Sequence, residues 1–86
     1  MNKYYFTYGT SEDFPFQRGW TEVVAPDLSA ACSLFRMIHP DLYEHTLNCS
    51  DVYSEAEFQR TKMYAEGNFG VRAHEIITLQ HVLLNN

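Results

Sequence analysis

Two prolines, Pro26 and Pro40, bracket the segment of this chain that most clearly specifies a helix. Asp27 is a good N-cap, because its carboxylate can accept from the free N–H groups of a first turn. Leu28, Ala31, Phe35 and Ile38 recur at helical spacing, and Ala30, Cys32, Leu34 and Met37 widen the apolar face. Pro40 stops the run, since the residue before a proline is pushed out of the helical region. His39 therefore falls at the helix C-terminus, where the dipole favours an imidazolium and where the helix end is a rigid mount for a ligand. A helix with one apolar stripe must bury it against something, and the flanking sequence supplies strands.

Lys3 to Tyr8 (KYYFTY) is aromatic and β-branched and reads as a strand that ends at Gly9. The following GTSEDFPFQ reads as a loop, in which Phe14 and Phe16 flank Pro15. Gly19 to Ala25 reads as a second strand, antiparallel to the first. Trp20, Glu22 and Val24 lie on one side of it and Thr21, Val23 and Ala25 on the other. Beyond the helix, His39 to Asp51 (HPDLYEHTLNCSD) reads as an ordered loop. Ser54 with Glu57 forms a capping box that opens a short helix running to about Lys62, with Phe58 turned inward. Gly67, Asn68 and Gly70 make Met63 to Arg72 a second loop. Alternation then predicts a last strand from about Ala73 to Leu79, with QHVLLNN as a tail. The expectation is one α+β domain over residues 1–86: a small antiparallel sheet of about three strands packed on one main helix, with a second short helix and long ordered loops.

Six Phe, six Tyr and one Trp give this short chain the means to build a core. A domain of this size still gains from a staple. Cys32 and Cys49 could form a disulfide, but neither a signal peptide nor a long apolar run is evident. The chain is therefore expected to be cytosolic, not in a membrane, with its thiols reduced. A metal is then the preferred staple. His39, Cys49 and His74 are the candidate zinc ligands, with His45, Asp51 or Cys32 as the fourth. The C-x-x-C pair that marks many zinc sites is absent. The bland alternative makes Cys49 a small buried hydrophobe and the histidines partners in local hydrogen bonds. A third reading makes Cys49 a nucleophile with His74 or His39 as base, which needs a lowered thiol pKa. Asn48-Cys49-Ser50 matches a glycosylation sequon only formally, given the compartment expected.

The net charge is −5, and between Met37 and Gln59 there are five acids and no Lys or Arg. Direct nucleic-acid binding needs the opposite sign. The acids suit a basic protein partner, and Asp41, Glu44 and Glu55 are the candidate contacts, with Phe14 and Phe16 as candidate aromatic ones. The plain alternatives are a solvated face and a lid over the core.

The strand-loop run YYFTYGTSEDFPFQRGW, the helix end FRMIHP, LNCSDVYSEAEFQRTKMY and the HEII segment together resemble a family of small phage and prophage proteins of Gram-positive bacteria. The resemblance covers about residues 3 to 77. In such relatives a cysteine often precedes the histidine of the HE pair; Ala73 stands there in this chain, which leaves the fourth ligand open. The resemblance implies metal binding by the HP, NC and HE elements. It also implies a stoichiometric inhibitor of host defence, of the anti-CRISPR kind, that binds a type II Cas effector nuclease as a monomer and carries a structural zinc. A small metal-binding accessory or regulatory protein of the phage is the alternative, and no catalysis is expected.

Overall fold

The computed structural model describes residues 1–66 and 73–80. Gly67, Asn68 and Gly70 of the expected loop, and the end of the tail, lie outside the described residues.

The element order is β1 (Asn2–Thr7), β2 (Trp20–Ala25), α1 (Leu28–Ile38), β3 (Asp51–Ser54), α2 (Glu55–Phe58), α3 (Lys62–Ala65) and β4 (Ala73–Ile77). The fold is α+β with one main helix. Its sheet has four strands in the order β3-β1-β2-β4, with β1 antiparallel to β2 and β3 and β4 parallel to β2. Sequence reasoning expected about three antiparallel strands. β3 is only four residues long, too short for a period-2 pattern to stand out beside the capping box it leads into. The sheet is mixed because the chain crosses over between β2 and β4.

α1 forms where its spacing and caps direct it. Asp27 accepts from the Ala30 N–H at 2.8 Å, and the His39 N–H still closes on Phe35 O at 2.8 Å as the backbone leaves the helix. Ala31, Leu34 and Phe35 are buried, whereas Leu28 and Met37 stay exposed, so the packed stripe is narrower than the apolar run. The helix from Ser54 is also shorter than expected. Its capping box closes, Ser54 Oγ accepting from Glu57 N and Glu57 Oε1 from Ser54 N. Thr61 then donates to Phe58 O at 2.7 Å and caps a separate turn by accepting from Tyr64 N. A side chain that competes for backbone partners splits one helix into two.

Successive residues of β1, and Tyr8 just after it, serve opposite faces. Phe6 and Tyr8 join Val23, Ala25, Ile77 and Cys49 in the core against α1, where Phe6 and Phe35 stack at 4.3 Å. Tyr5 joins Trp20 and Phe58 in a second core under α2, where Tyr5 and Phe58 stack at 4.2 Å. Burying each ring is worth about 1.5–3 kcal/mol. Cys32 and Cys49 are both free.

Candidate functional site

The distinctive chemistry gathers where β4 meets the β1–β2 loop and the end of α1. The pairing of β2 with β4 runs Trp20 to Ala73 and then Thr21 to Glu75, so His74 is the extra residue of a bulge. Bulges re-aim side chains, and they are rare between parallel strands. The His74 ring stacks on Phe16 at 4.6 Å with planes 4° apart, over the spot where Gly19 has no side chain. His74 Nε2 lies 3.2 Å from Gln17 O. A carbonyl only accepts, so Nε2 carries the proton.

Beyond the bulge, Glu75 stands opposite Thr21, and Thr21 Oγ1 donates to its carboxylate at 3.0 Å. The hydroxyl of buried Tyr8 in turn bonds Thr21 Oγ1, and His39 Nε2 bonds Glu75 Oε1. The carboxylate can only accept, which fixes the direction of the chain: Tyr8 to Thr21 to Glu75, with His39 donating from the other side. Burial, and then the nearby Glu75, push the Tyr8 phenol above its ordinary pKa, so it remains the donor. Phe35 and Phe16 flank the His39 ring at 5.2 and 5.8 Å. Four side chains, from the residue after β1, from β2, from β4 and from the C-cap of α1, are thus tied through one carboxylate. Charge-assisted bonds of this kind contribute about 1.5–3 kcal/mol each. The arrangement is a clasp, and its imidazole nitrogen is already committed to Glu75.

The proposed ligands are dispersed around this clasp. His39 faces Glu75 and His74 faces Phe16 and Gln17, whereas Cys49 sits in the α1 core, 9% exposed. Burial above all, then the neighbouring Cys32 and Asp51, push the Cys49 thiol up to about 12. A scarce thiolate is the reverse of what a nucleophile needs. Cys32 is half-buried and free, with its own thiol raised by burial. His45 is exposed at a left-handed turn position beside Glu44, and Asp51 heads β3, accepting from Ser50. Among the described residues no three His, Cys, Asp or Glu side chains converge on a point that could hold a metal ion. Asn48 of the sequon is buried, with its Oδ1 unpartnered among the described residues.

The candidate partner contacts divide in the same way. Asp41 is half-buried, and both of its oxygens take Arg36 Nε, at 3.0 and 3.1 Å, so it is not a free surface charge. Glu44 and Glu55 are exposed, as are Asp51 and Glu57. Phe14 and Phe16 pack on the core as a lid. Tyr8, Thr21 and Gly19 were not singled out from sequence, and Glu75 only as the second half of the HE pair. One signal was there: Thr21 shares a strand face with Val23 and Ala25, and a hydroxyl pointing inward needs a partner.

Comparison with protein-family models, curated proteins and solved structures gives no match to the chain. Among the described residues no helix is long and apolar enough to cross a membrane.

Proposed function

We propose that this chain is a phage-encoded stoichiometric inhibitor of the anti-CRISPR kind, which binds the positively charged nucleic-acid channel of a Cas effector nuclease. The observation that carries the reading is the exposure of Glu44, Asp51, Glu55 and Glu57 within a stretch that has no Lys or Arg. Such a surface competes with phosphates for the same basic groove. The capping box accepts at Glu57 and holds its carboxylate below the usual range, so the first turn of α2 presents two negative charges. Steered association of this kind is fast at low salt and weakens as salt screens it. The protonated, buried Cys49 favours binding over covalent turnover.

The test is co-purification with a panel of Cas effectors, followed by a DNA-cleavage assay titrated with the protein. Inhibition that completes at equimolar protein and relaxes with salt supports the reading. Full cleavage by every effector of the panel, or inhibition by far less than one equivalent, overturns it.

A further inference from the structure

Among the described residues the second core is not closed. Tyr5, Trp20, Phe58 and Tyr64 line a cleft of about 560 Å³ together with Glu22, Ala65 and Ala73. Trp20 and Glu22 are two residues apart on β2 and so share a face, and Tyr5 is the cross-strand partner of Glu22. Phe58 is the hub of the rings: Tyr5 stacks on it, and Trp20 and Tyr64 meet it near-perpendicularly at 4.9 and 6.1 Å. Tyr64 is 54% exposed and forms the rim. Tyr5 donates its hydroxyl to Glu22 Oε1 at 3.1 Å. That bond uses one of roughly four acceptor positions on the carboxylate. Among the described residues no Lys, Arg or His pairs with Glu22.

Tyr5, Trp20 and Phe58 form the nearly buried floor, at 8, 8 and 2% exposure, and Tyr64 is the lining ring with open surface. Aromatic faces carry negative quadrupole and attract cations within about 6 Å. A carboxylate beside them adds full countercharge. An anion would be repelled here, and a neutral apolar molecule would leave the carboxylate desolvated without compensation. We propose that this cleft is a receptor for an organic cation, an alkylammonium or guanidinium group, whether free or at the tip of a Lys or Arg side chain. The assignment stands apart from the inhibitor reading and holds whatever the chain inhibits.

Trp20 is the sole tryptophan, so its fluorescence reports on this cleft. The full-length protein is titrated with tetramethylammonium and with methylguanidinium at constant ionic strength, with sodium chloride and the neutral isostere tert-butanol as controls. N-acetyl-arginine amide and N-acetyl-lysine amide form the side-chain arm. Saturable change with the cations and none with the controls is expected. Glu22→Gln should weaken binding about tenfold, and Tyr64→Ala, at an exposed rim position, about threefold. Tighter binding of the blocked amino acids than of the small cations assigns the site to a side chain; the reverse order assigns it to a free cation. No saturable change, equal response to tert-butanol, or unchanged affinity in both folded variants overturns the proposal.

Discussion

Gly19 and His74 are made for each other: a Cβ on Gly19 would fall inside the space the His74 ring occupies. The bulge on β4 delivers the ring there, and Phe16 covers its other face. Gly19→Ala should therefore expel the ring and cost about 1–2 kcal/mol, the range for a modest overpacking error. His74→Ala in the same chain should recover part of that loss, because it removes the clash. Urea midpoints of the three variants check this. A Gly19→Ala protein as stable as the parent would mean that the ring simply swings away.

Thr21→Val keeps the shape of the residue but removes the middle of the clasp. It leaves Tyr8 without an acceptor and Glu75 without one of its donors. The expected loss is about 1–3 kcal/mol. Tyr8→Phe should cost about 1 kcal/mol alone and much less when added to Thr21→Val, because the bond is then already gone. Full additivity of the two in a double-mutant cycle would refute the relay.

Alkaline pH should unfold this protein early. The Cys49 thiol has an ordinary value of 9.0 and is pushed to about 12 in the fold, and Tyr8 and Tyr5 are raised in the same sense. A raised folded pKa means that the unfolded chain loses its proton first. The contribution is complete below pH 9 and is lost as pH climbs toward 12. Each such group contributes a slope of at most about 1.4 kcal/mol per pH unit. Cys49→Ala should be less stable at neutral pH, because it leaves a cavity, yet show a shallower alkaline limb. A parallel limb would rule out Cys49 as a titrating contributor.

Reversal of Glu44, Asp51 and Glu55 to lysine should weaken inhibition and flatten its salt dependence. Melting should change little, since exposed charges contribute little to stability. Asp41→Lys should behave differently and destabilise the chain, because it sets two cations together at the end of α1. If the triple variant inhibits like the parent, the acids are only a solvated face.

What the sequence disclosed was local. Asp27, Pro40 and the Leu28–Ile38 spacing suffice for α1, and Ser54 with Glu57 suffices for the start of α2. The strand pair β1–β2 follows from alternation and an intervening loop. The parallel seat of β4 does not, because strand direction is decided by how the chain crosses over. His39 and His74 stood out by residue type, but their partners lie 36 and 57 residues away, where no periodicity reaches. Asp41 looked exposed because Arg36 belongs to the helix and Asp41 to the loop after Pro40; only the turn between them brings the charges together.

The seat of β4 also sets a timetable. Thr21 and Glu75 are 54 residues apart, and Ile77 fills the same core as Phe6 and Phe35. While the chain is being made, β1, β2 and α1 emerge first and must wait for a strand from near the other end before β2 is flanked. Until residue 77 leaves the ribosome tunnel, that edge is open to pairing with a neighbouring nascent chain. Closure over so long a loop is slow compared with hairpin formation, so yield in a cell should depend on synthesis rate as well as on final stability.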